Sequence, residues 1–430
     1  MADASGLIFG LLASVITARW LGPRGKGLFA SLTLLSSVVV QLCTLGLGDA
    51  AIVYVGQKKV SIQRALASTG AVTVVAGLGG TAVVWVAAWL SFRRDWSDVR
   101  TGALIAALGV PVFLAAVNSS FLLSAEERIP ASSAVLAMLA GAVVPGLLLF
   151  VVVVPLGVSG AMLASLVSAT AAFALGAGLL SRSRLNFRPC WDSQYLKLAL
   201  RYGISVQASY LLTVVFLRGD LLFVYSLAGP RAAGLYSVSL TGAALVSLLP
   251  IAISGATFPR LSRLEDEDAN RLTAQLCRLG LVATLLSAVL LVPAIPIAVP
   301  LLFGSPFTPA VPATLILIAG SMIWSAQWLL CRARAARGFP GLLVKSFGLS
   351  LVTMCGLDLV LIPRFGINGA ALASLAASCA GLLVCLAAFA RSTWWKLPLT
   401  QLVPGWGDFR FFVTQPRRLL SRPGRTAEGS

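Results

Sequence analysis

Ionisable side chains within long apolar runs need explaining first, because a charge in hydrocarbon is costly unless it is paired or at work. Five stand out in this chain: Arg19, Asp49, Arg218, Asp220 and Asp358. Arg19 closes the first apolar run, where it either binds an anion or snorkels to water. Arg218 and Asp220 lie about 200° apart around a helix, too far to pair within it. One would face a cavity, and the other a neighbouring helix or Arg231. Asp49 and Asp358 are carboxylates of the type that holds a coupling proton or cation. For Asp358 an ion pair with Arg364 at the helix end is the favoured reading. Gln41, Asn118, Gln207 and Gln327 are uncharged polar groups that would bond either ligand hydroxyls or adjacent helices.

This set suits binding without bond breaking. The chain contains no His, which removes His metal ligands, general bases and proton relays, and its seven Cys show no C-x-x-C spacing. Neither a zinc site nor a disulfide framework is expected, and no metal or cofactor is implied. Glu265 to Asp268 form an acidic run, but Glu267 stands four residues before Arg271, the favourable order for a solvated helix start rather than a metal site.

The elements that must position these residues follow from composition. The chain has 430 residues, 58% hydrophobic and 11% charged, with a mean hydropathy of +0.91. A soluble protein is about 25% charged, and no soluble core absorbs this much apolar surface. One crossing of a 30 Å slab needs roughly 20 apolar residues. The expectation is an all-α polytopic membrane protein with twelve crossings, six from Ala4 to Leu180 and six from Leu196 to Ala390. Splitting Val143 to Leu180 into two crossings rests on the break from Pro155 to Gly160. The first residues lack a basic signal-peptide region, so the first apolar run reads as a retained helix.

Net charge is +18. In the twelve-crossing arrangement, 24 basic residues fall on the side of the termini and 8 on the other, Lys26 among the 8, with Arg218 inside a helix. That bias puts both termini in the cytoplasm. It also explains the surplus charge without nucleic acid.

Self-comparison exposes a repeat. Gly22-Pro23-Arg24 and Gly27 recur as Gly229-Pro230-Arg231 and Gly234, an offset of 207. Gly157-Val158-Ser159-Gly160-Ala161 recurs as Gly366-Ile367-Asn368-Gly369-Ala370, an offset of 209. Six crossings per repeat is an even number, so both copies have one orientation and are related by an axis along the membrane normal. The expected organisation is a lobe over residues 1–180, a cytoplasmic linker over 181–195, a second lobe over 196–390 and a basic cytoplasmic tail over 391–430. Parallel repeats place substrate between the halves and alternate its access by rocking.

At these residues the chain resembles the oligosaccharide flippase, or polysaccharide biosynthesis transport, family of the multidrug/oligosaccharidyl-lipid/polysaccharide exporter superfamily. The resemblance is carried by Thr17 to Ala30 (TARWLGPRGKGLFA), Leu45 to Tyr54 (LGLGDAAIVY), Arg218 to Ser239, Phe258 to Leu264 (FPRLSRL) and Leu361 to Ser374 (LIPRFGINGAALAS). It implies a two-lobed, twelve-helix exporter that moves a polyprenyl-diphosphate-linked saccharide to the outer leaflet of the cytoplasmic membrane. Arg19 falls at the family's AR-LG position, where a guanidinium offers a bidentate fork to phosphate. Arg218, Asp220, Gln41, Asn118 and Gln207 would complete the substrate set, and Asp49 and Asp358 would serve coupling. At the place of Asp358, family members more often carry Asn.

Implied partners are the lipid-linked saccharide, membrane lipids and a polysaccharide polymerase or glycosyltransferase complex. Trp394, Trp395 and the basic tail fit adhesion to anionic lipid. The alternatives are a cation-coupled multidrug exporter of the same superfamily and a scaffold of an envelope assembly complex. An embedded enzyme is disfavoured, since the longest outer loop, about Ser91 to Thr101, is short for a catalytic site.

Overall fold

A computed structural model describes residues 2–181, 192–248, 250–251, 266–336, 341–391, 399–402 and 405. Residues 182–191 of the expected linker, the FPRLSRL segment and nearly all of the basic tail, with Trp394 and Trp395, lie outside these residues, while α-helix extends into both ends of the expected linker, to Ser181 and from Ser193. The described chain is helical throughout, as an apolar segment in lipid requires: with no water to bond the backbone, each peptide group must be satisfied within its own helix. Among the described residues ten helical stretches are long and apolar enough to span a membrane. Two of them, Gly6–Gly56 and Ser193–Ser247, run 51 and 55 residues. At 1.5 Å per residue each is about 80 Å, enough for two crossings. Twelve crossings correspond to these ten stretches when the two long ones each cross twice.

Both long stretches break at the repeated glycine. In α1 (Ala2–Cys43), Gly22 takes φ 65° and ψ −179°; in α9 (Asp220–Ala244), Gly229 takes φ 86° and ψ 175°. A side chain would resist that left-handed φ, and the following Pro fits the first turn of a new helix. The sequence repeat is therefore a repeat of backbone conformation. The second pair agrees: Gly157 (φ 62°) opens α7 (Gly157–Ser181), and Gly366 (φ 58°) separates α12 (Gly341–Phe365) from α13 (Ile367–Ala390). The break that starts α7 also ends the preceding run, α5 (Ile129–Gly141) continued by α6 (Val143–Leu147) and a π turn to Val153. This confirms the division of the Val143 to Leu180 run.

The remaining helices are α2 (Leu47–Gly56), α3 (Ile62–Ser91), α4 (Trp96–Ala125), α8 (Ser193–Arg218), α10 (Asp266–Phe303) and α11 (Ala310–Ala336). They pack into two compact units. One comprises Met1–Thr241, Ala298–Val311 and Asp358–Ala370; the other comprises Gly242–Ile297, Pro312–Leu357 and Ala371–Ser430.

The first unit has a core of Leu47, Ala51, Leu122, Val135, Ala172 and Tyr195, drawn from α2, α4, α5, α7 and α8. Within it the repeats meet backbone to backbone. A Cβ added to Gly27 would lie 1.8 Å from the Pro230 carbonyl oxygen, and one added to Gly234 would lie 1.8 Å from the Pro23 carbonyl oxygen. Each motif thus receives the glycine of the other, a reciprocal contact of the kind a two-fold axis generates. A second approach joins Gly46 to Gly203, where a Cβ on either would fall within 2.5 Å of the other segment's backbone. In the second unit, Trp324 and Trp328 of α11 stack at 5.6 Å, and Phe347 of α12 meets Trp328 edge-on.

Candidate functional site

Two polar clusters of opposite sign lie in the first unit. The positive one is built around Lys26, which follows the Gly22 kink by one turn. Its side chain turns back past the kink: Nζ donates to Thr17 Oγ1 at 2.8 Å, to Ser14 Oγ at 3.0 Å and, more weakly, to the Ser14 carbonyl at 3.4 Å. Ser14 Oγ lies 3.3 Å from Thr241 Oγ1, which itself donates to the Ser237 carbonyl, so the cluster reaches the second repeat. Lys26 is 5% exposed and makes no ion pair among the described residues. The neighbouring charge is another cation, Arg218, close enough to act electrostatically on the ammonium. Counting Lys26 as an outer-side loop charge is therefore a misreading. The segment between Leu21 and Leu28 looks like a loop in sequence, but it is a bent helix that carries the side chain inward.

The negative cluster is built on Asp220, Tyr236 and Asp358. Asp220, 1% exposed at the start of α9, accepts a hydrogen bond from the Tyr236 hydroxyl. Asp358 of α12 is 0% exposed, and neither carboxylate oxygen has a hydrogen-bond donor among the described residues. Asp220 is near enough to act on Asp358 electrostatically. The expected Asp358–Arg364 ion pair is absent, for a geometric reason: six residues along a helix turn through about 600°, leaving Arg364 about 120° around the helix from Asp358, where it is exposed. Nor does Arg231 take up Asp220; it is exposed, without an ion pair among the described residues.

The other sequence candidates are dispersed. Arg19 donates from Nε to the Leu302 carbonyl at 2.7 Å and from Nη2 to the Leu301 carbonyl. These carbonyls end α10, where the last peptide oxygens lack helical donors and the dipole is negative, so the guanidinium caps that end. Contact between Arg19 and a ligand would require those bonds to open. Arg19→Ala is expected to lower the apparent Tm of the detergent-solubilised protein, at a cost of about 0.3–1 kcal/mol; an unchanged Tm would deny the cap any weight. Gln207 donates to the Gln41 carbonyl and accepts from Thr44 Oγ1 at 2.9 Å, joining α8 to the end of α1. Asn118 donates to Thr73 Oγ1 at 2.7 Å, joining α4 to α3. Asp49 lies half-buried in the first turn of α2, favourably placed on the helix dipole, and its charge reaches Tyr202. In the second unit Gln327 bonds Ser346 Oγ at 2.8 Å and Ser350 Oγ at 3.2 Å. Glu267 and Arg271 form the i,i+4 ion pair at 2.7 Å.

Sequence reasoning missed Lys26 and Tyr236. Their repeat mates hint at them, since Lys26 stands opposite Ala233 and Tyr236 opposite Phe29 at the 207-residue offset. The backbone repeats, whereas the polar groups occur once.

Several solved structures share this fold. An inward-facing multidrug resistance MATE family transporter of the MOP superfamily aligns at 15% identity with a TM-score of 0.72, over 89% of this chain and 94% of that one. The lipid II flippase MurJ, in an inward closed conformation, aligns at 14% identity with a TM-score of 0.73, over 93% and 88%. A MOP superfamily transporter from Pyrococcus furiosus with a binding pocket of reverse polarity aligns at 14% identity with a TM-score of 0.62, over 92% and 94%. Identity this low speaks for architecture alone. No curated protein gives a significant sequence match. The sequence profile of the polysaccharide biosynthesis proteins matches residues 16–312, a stretch that includes both Gly-Pro kinks and both cations of the positive cluster, and the chain belongs to that family.

Proposed function

We propose that this protein moves a polyprenyl-diphosphate-linked oligosaccharide across the cytoplasmic membrane by alternating access of its two repeats, with no bond broken. One observation carries the reading: Arg218, an exposed residue within a 55-residue apolar helical stretch, makes no ion pair among the described residues. An uncompensated cation there suits an anionic headgroup, and membership of a polysaccharide biosynthesis family supports a saccharide cargo. The need for a protein is physical. Each unpartnered hydroxyl moved into hydrocarbon costs roughly 2–7 kcal/mol, so an oligosaccharide does not cross unaided. An inside-negative potential favours outward movement of the diphosphate by about 2.3 kcal/mol per charge per 100 mV. With Lys26 withdrawn from the outer side, the basic bias becomes 24 against 7, which supports cytoplasmic termini.

The Asp220–Asp358 pair favours a second reading, cation-coupled export of a lipophilic cation. The two separate in vesicles containing the purified protein. A fluorescent polyprenyl-diphosphate oligosaccharide is expected to gain outer-leaflet accessibility over protein-free vesicles, and Arg218→Ala to slow that gain about tenfold, the effect of losing roughly 1.4 kcal/mol of charge-assisted bonding. Movement of lipophilic cations without movement of the saccharide would establish the second reading instead. No transport of either would leave a scaffold.

A further inference from the structure

Two hydrogen-bonded contacts tie the outer ends of the repeats together, and the repeat itself relates them. In the first, the Tyr225 hydroxyl of the second repeat donates to Asp95 Oδ2 of the first at 2.9 Å. Beside it the rings of Tyr225 and the fully buried Phe92 meet, with centroids 4.7 Å apart. Asp95 Oδ1 accepts from Arg24 at 2.8 Å, and Arg24 also reaches Asp98 at 3.0 Å, so both oxygens of the Asp95 carboxylate are held. In the second, Arg19 of the first repeat donates to the Leu302 carbonyl of the second at 2.7 Å and to that of Leu301. Moving 207 residues along the chain takes Asp95 to Leu302, and Arg19 to Ser226, the neighbour of Tyr225. Each contact therefore runs from the outer end of the first crossing of one repeat to where the third crossing of the other ends. All these residues belong to the first compact unit.

We propose that the Tyr225–Asp95 and Arg19–Leu302 contacts are paired clasps that hold the outer side closed, and that both open when cargo leaves; this rests on the reading of the protein as an alternating-access transporter with cytoplasmic termini. The reciprocal glycine contacts show the same exchange between repeats, but the clasps differ from each other in chemistry. A neutral phenol meets an anion in one, and a cation meets neutral carbonyls in the other. The first clasp has support that the second lacks: Leu302 and Ser305 stand where Asp95 and Asp98 do, and Arg231, the mate of Arg24, makes no ion pair among the described residues. The contacts suit a clasp better than a permanent strut. Arg19, Arg24 and Asp98 are exposed, and water competes for both partners of an exposed bond. Such bonds bias an equilibrium between two conformations without freezing it. Repeats that rock part at their outer ends in each cycle, and water can take up these groups when they do.

The test uses the full-length protein in vesicles of known orientation, with Ser14→Cys as reporter. Ser14 is buried about two turns below the Gly22 kink, 3.3 Å from Thr241 of the second repeat. A membrane-impermeant methanethiosulfonate is added from one side at a time, and the protein without the reporter sets the background of its native cysteines. Tyr225→Phe and Arg19→Gln are each expected to speed labelling from the outer side about threefold to tenfold, the worth of a hydrogen bond. Each should also slow labelling from the cytoplasmic side, and the double variant should exceed either. A merely structural role would speed labelling from both sides, and that result, or unchanged labelling in the double variant, would overturn the clasps. Should Arg19→Gln not fold, Arg19→Lys, which keeps the charge without the fork, is read in the same way. A reducible linker joining Asp95→Cys to Tyr225→Cys should stop movement of lipid-linked saccharide until it is cleaved; undiminished movement in the linked protein would also overturn them. The transport reading fails separately: reciprocal labelling shifts in a protein that moves neither saccharide nor lipophilic cation keep the clasps and lose the transporter. Movement of cargo with labelling indifferent to the variants does the reverse.

Discussion

Gly27→Val is expected to abolish transport and to destabilise the protein by more than about 2 kcal/mol, read as a fall in apparent Tm and in the folded fraction on size-exclusion chromatography. Its Cβ would sit 1.8 Å from the Pro230 carbonyl oxygen and 2.7 Å from the Gly234 backbone nitrogen. Both are backbone atoms, held in a kinked helix, and neither can swing aside as a flexible side chain would. Overpacking a well-filled site commonly costs about 1–3 kcal/mol, and here whole helices must separate. Close glycine contacts also allow Cα–H to carbonyl bonds, which the larger residue forfeits. Gly234→Val should behave alike, because it meets the Pro23 carbonyl oxygen at the same 1.8 Å. Gly10→Val is the control, with nothing within 4 Å of its Cβ. Equal stability of Gly27→Val and Gly10→Val would show that the repeats do not touch where the reciprocal contact places them.

Asp358→Asn is expected to act in the opposite manner, leaving stability unchanged or raised while transport falls by about tenfold or more. A buried carboxylate without a hydrogen-bond donor is a liability for folding, and a neutral isostere removes that cost. Keeping it in an apolar helix next to Asp220 makes sense if the pair takes up a proton or cation during the transport cycle. Asp49→Asn should have the weaker effect, since that side chain already has favourable company in the first turn of α2. Parallel thermal melts and vesicle flux measurements decide the point. Loss of stability in Asp358→Asn with flux intact would make Asp358 structural and remove it from the coupling pair.

Much of the architecture was readable before any coordinates, and the reason lies in what each signal depends on. Membrane helices depend on local apolarity, which composition shows directly. The repeat was visible because its landmarks are backbone landmarks: Gly22 and Gly229 adopt a left-handed φ that few other residues accept, and a Pro follows each, so residue types record conformation. Ionisable residues in apolar runs drew attention to Arg218, Asp220 and Asp358 for an equally local reason, the cost of charge in hydrocarbon.

The pairing of those charges was not readable in the same way. Arg364 is near Asp358 in sequence and on another face in space, while Asp220, 138 residues away, is its electrostatic neighbour. Arg19 reads as a free phosphate fork, but the end of α10, some 280 residues further along, supplies carbonyls that occupy it. Lys26 looked like an ordinary loop lysine because hydropathy is averaged along the chain, and an average cannot show that a kink sends one side chain back into the bundle.

By itself, then, the sequence determined a helical membrane protein built from two like-oriented repeats that carry few intramembrane charges, since each of these properties is a matter of local composition or local backbone conformation. The tertiary structure alone decided which charges stand together: the cations Lys26 and Arg218 on one side, the carboxylates Asp220 and Asp358 on the other. Electrostatic company is set by distances of a few ångströms between residues far apart in the chain, and only the packed helices bring those distances about.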